Sequence, residues 1–254
     1  MEQGHFRNIA VFGNCQGSQL ANCLRLMVPD ANVEFFRYLA DADTTDLVNR
    51  GARQLVLVQN PIMSFGPQIE ALRKACKVIE FPAVAYGGFH PDLIRPKRNK
   101  VLIKGPLGSN HSAIVLYGYL RGFDEAATAA LFREDVFRIL GYFRARAECD
   151  EHLRGKLDQF GLLDEAEFTP LLAGPCFMHN TIHPKLPLIG ALARVLLDKA
   201  GVSPFLRYPE NLTPDDLVNN VVWPVYPEIA RGLNLTGGEY VFQFKPVKRF
   251  IFGL

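Results

Sequence analysis

Apolar residues come first in short unbroken runs and later at the spacing of helices. Asn8-Ile-Ala-Val-Phe12, closed by Gly13, reads as a buried strand. From Ser18 onward Leu20, Leu24 and Met27 recur at helical spacing, with Pro29 as a stop, so the chain opens with strand, tight loop and helix. Val33-Glu-Phe-Phe-Arg-Tyr38 predicts a second strand, and Thr44 to Arg50 a short helix. Gln54-Leu-Val-Leu-Val-Gln59 is a strong third strand that ends in Asn60-Pro61, followed by a helix from Gln68 to Lys74 and a strand over Val78-Ile-Glu-Phe81. Continuous apolar strands alternating with helices imply an α/β fold, a parallel sheet covered on both faces.

After about Ser109 the pattern changes. Residues 112–121, 124–132, 136–148 and 152–160 read as consecutive helices with short breaks, which predicts a helical insertion at about 109–165. Leu186 to Lys199 is another clear helix, and the Pro- and aromatic-rich tail ends in an expected strand from Tyr240 to Phe244. One domain over residues 1–254 with this insertion is the economical organisation.

Composition narrows the class without changing that picture. The chain has 254 residues, 48% hydrophobic and 21% charged, which is globular and argues against disorder. A formal charge of +2 gives no reason to expect nucleic-acid binding, so attraction for an anion must be local. No run approaches the roughly 18–20 apolar residues of a membrane span, and no signal peptide is visible, so the expected location is cytoplasmic. Five scattered cysteines without a CxxC pair predict neither a disulfide framework nor a metal site.

The first loop carries the chemistry. Gly13-Asn-Cys-Gln-Gly17 lies between the first strand and the first helix, outside the carboxyl end of a strand, where open α/β sheets bind ligands. A cysteine at a helix N-terminus is expected to favour thiolate over thiol. The flanking glycines permit a sharp loop and close approach of a ligand. Neither GxGxxG, nor a Walker pattern, nor a GxSxG elbow is present. A nucleophilic thiol needs a base and an oxyanion donor. Asn60, at the end of the third strand, is a candidate donor, or alternatively a turn residue before Pro61. In His179-Asn-Thr-Ile-His183-Pro184, His183 is the candidate base and Asn180 its orienting amide, which can fix a ring but cannot hold an imidazolium as a carboxylate does. His90-Pro-Asp92 follows Gly87-Gly88 and is either a substrate contact or turn chemistry. Arg95-Pro-Lys-Arg-Asn-Lys100 with Lys104 is the dense basic run, suited to phosphates or simply solvated. Trp223 and Tyr226 are candidates for stacking on a sugar or adenine ring, or for the core.

This arrangement resembles the WcbI family of capsular-polysaccharide biosynthesis acetyltransferases, whose fold is similar to SGNH hydrolases. The likeness rests on Gly13-Asn-Cys-Gln16 after the first strand, Asn60-Pro61, Gly88-Phe-His-Pro-Asp92 and His183-Pro184. Cys15 stands where SGNH proteins carry Ser, Asn60 matches their third-block Asn, and Asn180-Thr-Ile-His183 matches a final Asp-x-x-His with Asn in place of Asp. The resemblance implies a three-layer parallel sheet of SGNH or flavodoxin-like kind. It also implies coenzyme A or acetyl-CoA as co-substrate, without a metal, and acetyl transfer to a sugar or polysaccharide hydroxyl. Cys15 would be nucleophile, His183 base, and Asn60 with the Cys15 N–H the oxyanion donors. Asn14, Gln16, Gly17, Ser18, Lys97, Arg98 and Lys104 would hold the cofactor, and His90, Asp92, His179 and Trp223 the acceptor. An SGNH-type esterase or thioesterase, which uses water as acceptor, and a non-catalytic CoA- or saccharide-binding module are the alternatives.

Overall fold

A computed structural model describes residues 6–37, 44–60 and 67–243; Tyr38, Pro61 and Phe244 lie outside it. The described chain falls into two compact units. The first comprises the described residues within 1–84, 154–173 and 184–217, and the second those within 85–153, 174–183 and 218–254. Residues 109–165 therefore do not form one unit, because 154–165 belong to the first.

The first unit opens with β1 (Asn8–Phe12), α1 (Cys15–Met27), β2 (Asn32–Phe36), α2 (Thr44–Asn49), β3 (Gln54–Asn60), α3 (Pro67–Ala75) and β4 (Lys77–Pro82). The four strands form one parallel sheet in the order β2-β1-β3-β4, with Ile9 level with Val33 and Leu55. This is the order of a doubly wound sheet, and the switch point lies between β1 and β3. On one face Ala10, Phe12, Val56 and Val58 pack with Leu47 of α2 and with Ile69 and Leu72 of α3. Alternate residues Ile9, Val11, Leu55 and Leu57 are as deeply buried and point the other way, because successive strand side chains alternate.

In the second unit the basic run is a β-hairpin. After β5 (Leu93–Ile94), strands β6 (Lys97–Arg98) and β7 (Val101–Leu102) pair antiparallel across Asn99 and Lys100, whose φ values of 50° and 66° are those a two-residue hairpin turn demands. Then come β8 (His111–Ser112), α4 (Ala113–Leu120), α5 (Glu125–Ala129), α6 (Glu134–Ile139) and α7 (Ala145–Gln159), the last crossing the unit boundary. The helix expected from 136 to 148 is broken because Gly141, at φ 76°, ends α6; the one expected from 152 to 160 is the second half of α7. This unit's core is aromatic: Phe137, Tyr142 and Tyr226 pack with Ile114 and Ile229.

The chain returns to the first unit within α7 and continues into α8 (Glu165–Ala173), which the sequence pattern missed because Pro170 sits inside it. Asp164 caps it, accepting from the Ala166 and Glu167 N–H groups at 2.9 and 3.3 Å. After β9 (Met178–Asn180) and β10 (His183–Pro184), α9 (Leu186–Ala200) packs on α1. Arg194 of α9 is buried with Glu167 at 2.7 Å and Glu210 at 3.0 Å. Gly190 makes room for that pair, since a Cβ there would meet Glu210 Oε2 at 2.4 Å. Among the described residues the last helix is α10 (Pro227–Gly232). The expected strand from Tyr240 is only one bridge, between Val222 and Gln243.

Candidate active site

At the switch point the first loop is shorter than the hydrophobic pattern indicates. α1 begins at Cys15, not Ser18, because Asn14 caps it: the Asn14 side chain accepts from the Gln16 N–H at 2.8 Å. Gln59 of β3 braces the loop, its Oε1 accepting from the Asn14 N–H at 3.0 Å and its Nε2 donating to Gln16 Oε1 at 3.0 Å. Gln16 in turn donates to the Val84 carbonyl at 2.8 Å and accepts from the Val84 N–H at 2.9 Å. Gln16, expected on the cofactor, is buried and ties the first loop to the residues after β4. Gly17 is likewise internal, facing the Phe35 ring, and Gly13 touches Gln59 and Gly17 so closely that a Cβ would lie 2.8 Å from Gln59 Oε1 and 3.0 Å from Gly17 Cα. Both glycines are closely packed within the loop. Asn14 is exposed, while Cys15 and Ser18 are half-buried.

The Cys15 thiol does not behave as its helix position alone suggests. Burial pushes it above the ordinary cysteine value, against the pull of the Gln16 and Cys15 N–H groups and of the Arg37 charge. Arg37 and Gln59 are site residues that the sequence pattern did not single out. Gln59 looked like a strand residue, and Arg37 is an isolated cation just past β2.

Asn60 is the last residue of β3, in register with Pro82, and its amide donates to Glu80 Oε2 at 2.9 Å. It lines a 460 Å³ cleft with Arg73, Glu80, Phe160 and Lys199.

In the second unit, the turn joining β9 to β10 is ordered around Asn180. Its Oδ1 accepts from the Ile182 and His183 N–H groups at 3.0 and 3.1 Å. Its Nδ2 donates to the Val221 carbonyl at 2.8 Å and lies 3.1 Å from His183 Nδ1. Arg95, which opens the basic run, is half-buried and donates to Thr181 Oγ1 at 2.9 Å in the same turn. Lys97, Arg98 and Lys104 are exposed on and beside the hairpin. His90 is buried, its Nδ1 at 3.3 Å from the Pro224 carbonyl, and it lines a 290 Å³ cleft with Gly87, Tyr142, Cys149 and Thr181.

All four residues expected on the acceptor, His90, Asp92, His179 and Trp223, are buried. Asp92 has no exposed surface: it accepts from the Tyr142 and Tyr226 hydroxyls at 2.9 and 2.8 Å and from the Ile114 N–H at 3.0 Å, so it anchors the start of α4. Trp223 is buried edge-on against Phe242, and its backbone N–H donates to the carbonyl of His179, itself buried in β9. A 620 Å³ apolar cleft in this unit, walled by Val115, Tyr119, Phe123, Phe132 and Phe242, holds none of the expected site residues. Among the described residues no group of three or more His, Cys, Asp and Glu side chains is placed to hold a metal, and no helix is long and apolar enough to cross a membrane.

Comparison with known proteins agrees with the fold. A structure of WcbI, described as a polysaccharide biosynthesis enzyme and as the native protein without a disulfide bond between CoA and one of its cysteines, is similar to this chain. The TM-score is 0.69 and the identity 13%, over 94% of this chain and 84% of that one. A search of curated proteins gives no match. Residues 8–205 match the family described as polysaccharide biosynthesis enzyme WcbI, and the chain belongs to that family.

Proposed function

We propose that the protein is a coenzyme-A-dependent acyltransferase with an SGNH-like fold, which passes an acetyl group to a sugar hydroxyl during polysaccharide synthesis in the cytoplasm. The observation that carries this reading is the half-buried Cys15 thiol at the first turn of α1, outside the carboxyl end of β1, in a member of a polysaccharide-synthesis family. The CoA and cysteine of the WcbI structure description point the same way.

The chemistry balances as two acyl exchanges, the first from thiol to thiol and the second from thiol to hydroxyl. Cys15 attacks the thioester carbonyl; its S–H bond and the CoA S–C bond break, while a Cys15 S–C bond and a CoA S–H bond form. The sugar hydroxyl then attacks the acyl-cysteine, an O–C bond replaces the S–C bond, and the hydroxyl proton returns to the Cys15 sulfur. One thioester replaces another of similar energy, so the first step runs without a large barrier from product stability. Asn14 and Ser18, beside Cys15, and the exposed Lys97, Arg98 and Lys104 are proposed contacts of the coenzyme. Asn60 supplies an oxyanion donor through the amide hydrogen not given to Glu80, and His90 and His179 flank the acceptor. His183 supplies the imidazole. Which of its nitrogens carries the proton decides whether it serves as base or as donor.

Calorimetric titration of CoA into the wild type and into Cys15→Ala tests the reading. Saturable binding to the wild type, with acetyl transfer lost in Cys15→Ala, is expected. No binding at millimolar CoA would overturn it.

A further inference from the structure

Asn180 sits among partners that leave its amide one orientation. Amide oxygen and nitrogen are easily confused when only their positions are known, and the hydrogen-bond network has to decide. Here the network is backbone and therefore unambiguous. Two N–H groups, of Ile182 and His183, point at one side-chain atom, which must be the oxygen. One carbonyl, of Val221, faces the other atom, which must be the NH2. Turning the amide over would set two N–H donors against an NH2 and a carbonyl against a carbonyl, inside a site where Asn180 is 1% exposed.

The consequence falls on the neighbouring ring. The second hydrogen of the same NH2 points at His183 Nδ1, 3.1 Å away. A donor facing Nδ1 requires a lone pair there, so in the neutral ring the proton is on Nε2. A catalytic triad has the reverse arrangement: the carboxylate accepts from Nδ1–H, which leaves Nε2 unprotonated and able to take a proton.

We propose that Asn180 is a positioning residue that holds His183 as the Nε2–H tautomer, so that the neutral ring offers a hydrogen-bond donor at Nε2 and not the unprotonated nitrogen of a general base. This replaces the expectation, drawn from the Asp-x-x-His likeness, that His183 deprotonates the acceptor. The donor role rests on the acyltransferase reading, whereas the tautomer does not. Under that reading a neutral imidazole donating from Nε2 stabilises charge that builds on a carbonyl oxygen.

The test is nitrogen NMR on full-length protein labelled with 15N-histidine, with His183→Gln identifying the His183 signals. The wild type is expected to show a protonated Nε2 and an unprotonated Nδ1. In fully labelled protein, a 15N–15N coupling across the hydrogen bond from Asn180 Nδ2 to His183 Nδ1 is expected as well. In Asn180→Asp one carboxylate oxygen keeps the backbone N–H groups, and the other, which loses the bond to the Val221 carbonyl, accepts from the ring, so the proton moves to Nδ1. A protonated Nδ1 in the wild type overturns the proposal, as does a tautomer that Asn180→Asp leaves unmoved. If Asn180→Asp does not fold, the wild-type tautomer and coupling decide alone. An Nε2–H ring in a protein that fails to bind CoA would overturn the catalytic use of His183 while leaving Asn180's hold on it intact.

Discussion

Gln59 and Gln16 meet side chain to side chain beneath the first loop, the Gln59 amide donating to Gln16 Oε1 at 3.0 Å. Both amides have a single orientation. Gln16 is pinned by the carbonyl and N–H of Val84, and Gln59 Oε1 is pinned by the N–H of Asn14. The residue before Cys15 is thereby tied to the third strand, and the residue after it to the end of the fourth.

Replacing Gln59 by Leu therefore strands the Asn14 N–H and one lone pair of Gln16. A loss of about 1–3 kcal/mol is expected. Gln59→Glu should cost at least as much, because a carboxylate oxygen then faces Gln16 Oε1. Denaturant unfolding measures both, and a Gln59→Glu protein as stable as the wild type would show that the clamp is not closed.

Gly13→Ala should destabilise by about 1–3 kcal/mol, the typical effect of overpacking. Its Cβ would meet not only a side chain but the backbone of Gly17, at 3.0 Å. Gly155, exposed within α7 with open space around it, is the control. Alanine there should stabilise by about 0.5–1 kcal/mol. Equal behaviour of the two variants in urea melts would contradict the packing argument.

Asp92→Ala is expected to act on folding rather than on acceptor affinity. It leaves the Tyr142 and Tyr226 hydroxyls and the Ile114 N–H unpaired in the aromatic core. Each buried group left unsatisfied costs about 1–3 kcal/mol. Burial first, and the charge of Asp92 next, push both phenols above the ordinary tyrosine value. A stable Asp92→Ala protein with only a raised KM for the acceptor would reverse the assignment.

Alkylation of Cys15 should have a pH midpoint above that of an exposed cysteine, about 8.5, because desolvation outweighs the helix N–H groups and Arg37. Arg37→Ala removes one of the opposing pulls, so the midpoint moves higher still. The same sign governs stability: a folded-state value above the unfolded one leaves the neutral thiol's contribution intact at low pH and loses it as pH rises through the folded value. Cys23, whose thiol burial pushes up to about 12, should stay unlabelled in the native protein over the same pH series. Mass-resolved iodoacetamide rates read both residues at once, and a Cys15 midpoint below 8.5 would restore the thiolate expected from the helix terminus.

The sequence by itself determined the parallel α/β core and the position of its reactive loop. Runs such as Leu55 to Val58 are apolar at every position because a strand covered on both faces has no polar side, and Gly13 closes the first run where the chain must turn. It also brought out Cys15, Asn180 and His183, since thiol, amide and imidazole are chemical types visible without coordinates. Only the tertiary structure decided what those groups can do. Gln59 looked like one more strand residue until folding set it under Gly13, forty-six positions earlier in the chain. Asp92 looked like a ligand contact until burial surrounded it with tyrosines. Local pattern fixes which residues face inward, but the hydrogen-bond partners of a buried polar group come from distant segments. Val221 is forty-one residues from Asn180, and it fixes the direction of that amide and through it the proton on His183.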